Sequence, residues 1–475
     1  MTSKPRHLHP AALVFFLYQS FKEGILPFII SVIGTTNTKS KDIVVGIGVI
    51  FVFFIIVTTL LNYWMFTYQI LSDEIVTKSG IFVKKINHVP YDRIQNVMTN
   101  QWFFLKPFGL EELKIETASQ TEQAEVELKA VPNKLRQEIE NLRSDQWNNE
   151  QVKEIKQNEN TYSITWKDLI KFSLTSSTFL SGLLLIMAMY GKIQRFIDKQ
   201  IYQTAANEFS HLGSMLLLLI ILLILLILYL ISALVLISQY YHFTLVEKDG
   251  HFEITRGLFQ VKRTDISINR IQAIIIKKSF IRTLLGIATI KLVVISNTKE
   301  NSSDKDVIIM PVIKSGQLKK FMEQFFPDIP FKNGVAVKPR KLTYYYYLRN
   351  VTIPVIVIAG VILWLFHLTW VSGILIIIES ACWYVPAYLV SRCSKSELID
   401  ERFLVLQNSY LMTKQTIYVP KRNIQYIRRK DSIWLNKRKI ASLIVNIRSG
   451  VGERRFRISY QPQFEINNIV EWYKK

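Results

Sequence analysis

The chain has little of what catalytic centres are usually made from. Its two cysteines, Cys382 and Cys393, offer no metal-ligand spacing and no disulfide framework. The seven histidines (His7, His9, His88, His211, His242, His251 and His367) are scattered. There is no Gly-rich phosphate loop, no zinc-ligand cluster and no G-x-S-x-G elbow. Asp92 and Asp265 hold different positions relative to Arg93 and Arg270, so no carboxylate pair recurs. These absences predict a protein that is not an enzyme and uses no cofactor. Acidic residues are the scarce charge: 37 Asp and Glu stand against 59 Lys and Arg, a net charge of +22.

What the chain has instead is long apolar runs. Six approach or exceed the ~20 residues a spanning helix needs. They cover residues 11–33, 43–66, 169–190, 215–237, 351–368 and 371–390. The first follows Lys4 and Arg6 and carries Lys22 and Glu23 at its middle. No small-residue cleavage site follows, so a retained anchor is expected. Paired as hairpins, the runs leave three polar regions on one side: 66–168, 239–350 and 391–475. The last two regions hold 19 and 18 Lys+Arg. The joining loops hold few: Lys39 and Lys41, then Lys192, Arg195 and Lys199, then none. Lys and Arg accumulate on the cytoplasmic side of membrane proteins. The N-terminus and all three regions are therefore expected in the cytoplasm, beneath a plasma membrane.

One sequence block recurs after each hairpin. It runs from Ser79 to Ile115, from Arg256 to Leu292 and, more diverged, from Ser409 to Val445. Gly80 and Gly257 each precede a glutamine, Gln95 and Gln272, by 15 residues. Those glutamines each precede a glycine, Gly109 and Gly286, by 14. The third copy keeps Gln425 but has Asn423 in place of Arg93 and Arg270, and Lys439 in place of the glycine. Fixed spacing without gaps marks a repeated structural unit. Within each copy the pattern alternates with period two, as in Leu113, Ile115 and Thr117 against Lys114 and Glu116, which predicts half-buried strands. Each copy then ends on a helical pattern: Leu135, Ile139, Leu142; Leu318, Phe321, Met322, Phe325; Ile466, Ile469, Val470, Tyr473.

The Arg-Ile-Gln, the apolar pair about eight residues on, and the strand that begins at the glycine resemble the bacterial pleckstrin-homology-like domain fused to membrane helices. Three such domains, each behind a helix pair, resemble the YdbT-type membrane proteins. The resemblance implies six transmembrane helices in three hairpins, each followed by a cytoplasmic seven-stranded β-barrel capped by a C-terminal helix. The expected layout is a hairpin over 1–66, a PH-like domain over 67–145 and a linker over 146–168. A hairpin over 169–238, a domain over 239–330 and a linker over 331–348 come next. The last pair is a hairpin over 349–390 and a domain over 391–475.

The charge is unevenly spread: the three polar regions sum to −3, +10 and +11. Basic clusters include Lys277-Lys278, Arg428-Arg429-Lys430 and Lys437-Arg438-Lys439. A basic surface near an anionic leaflet gains about 1 kcal/mol per Lys or Arg, so lipid headgroups are one reading. Topology alone would also enrich this side in Lys and Arg, and that reading stays open. Nucleic acid is not expected, because the membrane competes for the same charge. The repeated Arg93, Gln95, Arg270 and Gln272 suit fold or interface roles better than ligand binding, and opposite net charges would help neighbouring modules pack. Ionisable groups in the bilayer are functional candidates by default; here Lys22, Glu23 and Glu379 qualify. Pairing between helices is favoured for them over a transport path.

The resemblance further implies a non-enzymatic scaffold or immunity factor against membrane-active antimicrobial peptides (bacteriocins) and envelope stress. It also implies a hetero-complex with a smaller membrane protein carrying one copy of the module. Export of a peptide or lipid, driven by ions or by a partner, and organisation of anionic lipid are the alternatives.

Overall fold

The computed structural model describes residues 4–35, 41–81, 83–117, 126–148, 160–176, 214–248, 250–295, 306–331, 341–367, 369–410, 412–449 and 452–474. The strand β1 (Arg6–His7) leads into the helices α1 (Leu13–Thr35) and α2 (Lys41–Met65). The first repeat is β2 (Thr67–Ile70), β3 (Glu74–Ser79), β4 (Lys85–Pro90), β5 (Ile94–Trp102), β6 (Leu110–Thr117), β7 (Val126–Pro132) and α3 (Lys134–Asn148). Next come β8 (Asn160–Ser163), α4 (Trp166–Leu174) and α5 (Ser214–Tyr240). The second repeat is β9 (Thr244–Lys248), β10 (His251–Arg256), β11 (Gln260–Ser267), β12 (Ile271–Lys278), α6 (Phe280–Leu284), β13 (Ile287–Val294), β14 (Asp306–Lys314) and α7 (Leu318–Phe325). The helices α8 (Lys341–Phe366) and α9 (Trp370–Cys393) form the last hairpin. The third repeat is β15 (Lys395–Ile399), β16 (Phe403–Tyr410), β17 (Thr413–Pro420), β18 (Ile424–Lys430), α10 (Ile433–Lys437), β19 (Ile440–Ser449), β20 (Gly452–Pro462) and α11 (Gln463–Lys474).

Among the described residues, four helices are long and apolar enough to cross a membrane, lying within α2, α5, α8 and α9. In α5 the run of Leu and Ile carries no charge. The first apolar run forms α1, continuous through Pro27, but Gln19, Ser20, Lys22 and Glu23 dilute it and it is not among the four. The run at 169–190 lies mostly outside the described residues.

Each repeat supplies two groups of three antiparallel strands, and four of the six groups pair across a repeat boundary. In the first of two compact units (Met1–Glu159, Val246–Ile268 and Ser296–Ser302), one sheet runs β1-β2-β3-β4. Another joins β7, β6 and β5 to β11 and β10 of the second repeat, with β5 hydrogen-bonded to β11. The core of this unit gathers Ile75, Tyr91, Leu105, Leu113 and Ile115 under Leu135 and Ile139 of α3. Burial pushes the Tyr91 phenol up to about 12, and its hydroxyl donates to the Leu71 carbonyl at 2.9 Å.

In the second unit (Asn160–Leu245, Asn269–Ile295 and Ser303–Lys475), β14-β13-β12 continues into β17-β16-β15 of the third repeat. The sheet β18-β19-β20 stands by itself. Ile275, Leu404, Ile417, Leu443, Val445 and Ile466 fill the core.

Both junctions use one register. Met98, three residues past Gln95, faces Thr264, eight residues before Gln272. Ile275, three past Gln272, faces Ile417, eight before Gln425. Sheets shared between neighbours thus join repeats whose sequence pattern predicts separate barrels.

The half-buried expectation also changes. Every residue of β6 and β13 is buried. The polar face of β6 is covered too, with the Lys114 ammonium 3.7 Å from both Glu112 and Glu127. Charged residues tolerate such burial when paired.

Candidate functional site

Corresponding turns recur in the three repeats. They span residues 103–109, 280–286 and 433–439. In the first, Leu105 is buried while Phe103 and Phe108 are exposed. Phe15 in the first turn of α1 meets Trp102 and Phe104, with ring centroids 6.4 and 5.8 Å apart.

In the second, Arg282 takes the place of Leu105 and is buried. Its Nε donates to Thr175 Oγ1 at 3.0 Å and its Nη2 to the Phe172 carbonyl at 3.3 Å. Nη1 donates to Thr289 Oγ1, and the guanidinium lies 5.0 Å from the Phe172 ring centroid. Burial lowers its pKa to about 10. Phe172 and Thr175 belong to the end of α4, so Arg282 bolts this turn to a helix base. Phe280, Leu284 and Leu285 stay exposed around it.

The third turn is α10, started by the Ser432 side chain, which accepts from the Leu435 amide. Ile433 and Trp434 are 78% and 77% exposed, among exposed Lys430, Lys437, Arg438 and Lys439. Gln463 Nε2 donates to Asn436 of α10 at 2.7 Å. Gln461, two residues earlier, donates to the carbonyl of Ser394, the first residue beyond α9, at 2.6 Å.

These turns close on left-handed residues. Gly109 and Gly286 have φ of +61° and +64°, and Lys439 keeps the conformation at +53°. A Cβ at either glycine meets nothing within 4 Å, which explains how a lysine fits there.

The recurring glutamine is the extra residue of a β-bulge in every repeat. The register skips Gln95 between Ile94 and Asn96, Gln272 between Ile271 and Ala273, and Gln425 between Ile424 and Tyr426. A bulge bends and twists its strand, and these strands are the ones that turn from one half of the repeat to the other. Of Gln95 only the backbone is described. Gln272 is buried, with Nε2 3.5 Å from the Arg270 carbonyl.

Arg93 is exposed and Arg270 half-buried, each ending a short 3-10 turn. Asn423, their counterpart, donates through Nδ2 to the Ile271 and Gln272 carbonyls at 3.0 and 3.1 Å. It ties the third repeat to the bulge of the second. At the corresponding carbonyls of Ile424 and Gln425, the Tyr473 hydroxyl stands in, at 3.3 and 2.9 Å. Asn423→Ala is expected to lower stability by about 1–2 kcal/mol, because two part-buried acceptors lose this donor. Chemical unfolding in detergent would show this, and an unchanged midpoint would refute the tie.

The basic residues divide. Lys277 and Arg454 share Asp306, at 3.5 and 3.4 Å, and the Asp306 side chain is 1% exposed. Lys277 therefore serves the junction. Lys278 donates to Ser315 Oγ at 3.1 Å. Arg428 lies over Tyr426, and Arg429 holds Asp431 and Asn467 at 2.6 and 2.7 Å. In the helices, Lys22 is exposed and Glu23 accepts from Gln19 at 3.0 Å. Both carboxylate oxygens of Glu379 are buried without a hydrogen-bond partner among the described residues. Among the described residues no group of three or more His, Cys, Asp or Glu could hold a metal.

A family model described as Bacterial PH domain matches residues 25–146 and 205–324, together half of the chain. The chain belongs to the bacterial PH domain family. It is also similar from end to end to the UPF0699 transmembrane protein YdbT of Bacillus subtilis (strain 168). The two are 23% identical over 499 residues, which span 100% of this chain and 99% of the relative. No solved structure matches. With four helices of membrane length, this is a membrane protein carrying bacterial PH domains; the third repeat lies beyond both matched stretches.

Proposed function

We propose that the protein is a non-enzymatic scaffold of the bacterial plasma membrane. Six helices cross the bilayer, the N-terminus and three PH-like modules lie in the cytoplasm, and the assembly protects against membrane-active peptides and envelope stress. One observation carries the scaffold reading: strand pairing crosses two repeat boundaries in a single register. Main-chain pairing of this kind holds neighbouring modules rigidly, as a load-spreading frame requires and a carrier that rocks does not. The strands that correspond to the paired ones, β4 in the first repeat and β18 in the third, are sheet edges among the described residues. They suit a smaller membrane partner with one further module, because edge strands are ready templates for pairing.

The test is growth of cells with and without the gene, and with and without the partner, against a panel of pore-forming peptides. The scaffold reading expects selective protection that survives Glu379→Gln at normal protein levels. Loss of protection in that variant would instead favour export, and protection against no peptide would end the immunity reading. A protein that stays monomeric with its partner in mild detergent would end the assembly part.

A second reading, organisation of anionic lipid, draws on α10, where exposed Ile433 and Trp434 sit among four cations. Apolar side chains and cations together suit a lipid interface. Replacing both with serine in the same assay distinguishes it, since a pure scaffold would keep its protection.

A further inference from the structure

The junction between the second and third repeats contains a cavity of about 240 Å³. Lys278, Ser315, Lys414, Thr416, Tyr418 and Phe331 line it, and among the described residues no carboxylate does. The register of β12 on β17 sets Lys278 directly opposite Lys414. Like charges placed across a ladder repel, and here burial adds to the cost. The Lys278 amine is held below the ordinary lysine range by burial first and by Lys414 second. Lys395 is lowered in the same order, with Arg392 adding to the repulsion and Glu397 opposing it. Two cations thus line the cavity itself, and Lys395, two residues past the end of α9 at Cys393, feels one of them. Three hydroxyl-bearing residues, Ser315, Thr416 and Tyr418, belong to the same lining. Phe331 covers Tyr418, with ring centroids 6.0 Å apart.

Lys278 donates to Ser315 Oγ at 3.1 Å, and no carboxylate among the described lining residues balances the two lysines. Lys277, one residue earlier, shows the structural alternative, since it is matched by buried Asp306. An empty cavity with two facing ammonium groups is electrostatically unfavourable, and a bound anion reverses the sign of that term. The hydroxyl donors add directional bonds suited to a tetrahedral oxyanion. The volume equals about eight water molecules. That holds a phosphate with a small substituent and falls short of the roughly 300–1,000 Å³ typical of larger ligands.

We propose that this cavity binds a phosphate group, presented as an anionic lipid headgroup at the leaflet that α9 leaves. The lipid source rests on the membrane topology proposed above; the phosphate chemistry does not. Binding would make the repeat junction responsive to the charge of the leaflet.

The test uses the full-length protein in nanodiscs. Thermal stability is measured in phosphatidylcholine alone, in phosphatidylcholine with added phosphatidic acid or phosphatidylglycerol, and in phosphatidylcholine with inorganic phosphate or glycerol phosphate in the buffer. Anionic lipid should raise the melting temperature of the native protein. Titration should show affinity falling about tenfold for each of Lys278→Met and Lys414→Met, the loss expected for a charge-assisted hydrogen bond. The double variant should be as stable as the native protein in phosphatidylcholine alone, or more so, because the repulsion is gone; that separates ligand loss from misfolding. Lys437→Met with Arg438→Met removes two charges outside the cavity and should keep the response. A response to soluble phosphate but not to lipid supports the site with a soluble source. An equal response in the native protein and the double variant overturns the proposal. These readouts use no peptide challenge, so their failure and failure of the scaffold reading are distinguishable.

Discussion

Gly257→Ala should lower stability by at least about 3 kcal/mol, with loss of the β10–β11 hairpin. Gly257 has φ +117°, and a Cβ there would sit 2.0 Å from the Gln260 carbonyl oxygen. The obstacle is main chain, which cannot rotate aside as a side chain would. Gly80 repeats the geometry, with φ +105° and the Val83 carbonyl oxygen also at 2.0 Å. Gly286→Ala provides the contrast. Its Cβ enters open space, so only left-handed strain remains, about 1 kcal/mol. Thermal unfolding of the two variants in detergent should rank them clearly. Similar melting temperatures would mean that the hairpin does not have this shape.

Arg282→Ala should cost about 3 kcal/mol, the second largest effect expected from one side chain. The guanidinium satisfies two threonine hydroxyls and the Phe172 carbonyl, and removing it leaves buried acceptors without a donor. Thr175→Val removes one of these bonds and should cost about 1 kcal/mol. Hydrogen exchange should report where the damage falls. Amides of residues 280–286 and of the end of α4 should lose protection in Arg282→Ala while β16 and β19 keep theirs. Uniform loss would mean that Arg282 supports the whole fold rather than this attachment.

The sequence made the strands, the closing helices and the repeat itself legible, because all three rest on local periodicity. Sheet sharing was not legible. Period-two patterning in β5 or β12 says which face is buried and nothing about whose strand lies alongside. The recurring glutamine drew attention for its side chain, yet its common property is a main-chain one: it is the residue the ladder skips. The spacing of the turn glycines did not say which of them the backbone requires: Gly80 and Gly257 are required, whereas the position Lys439 fills is not.

Arg282 left a trace that could have been followed. It stands where the other repeats have Leu105 and Leu435, and an arginine in an apolar column needs a partner. Lys414 left none, since it becomes notable only when the register brings it opposite Lys278. Asp306, which neutralises Lys277, was hidden for the same reason.

The shared sheets set the unit of duplication and the unit of folding half a repeat out of step, as in brickwork. The first three-stranded half of the middle repeat belongs with the first repeat and its second half with the third, and the seam falls between Ile268 and Asn269. Cutting the chain where the sequence repeats would therefore cut through mortared courses. A fragment spanning 239–330 would expose β11 over Gln260–Thr264 and β12 over Ile274–Lys278, two sticky flanks at once. Pieces divided at the seam would each keep a finished sheet. The same bond ties the middle segment by main-chain pairing to a strand of each neighbour.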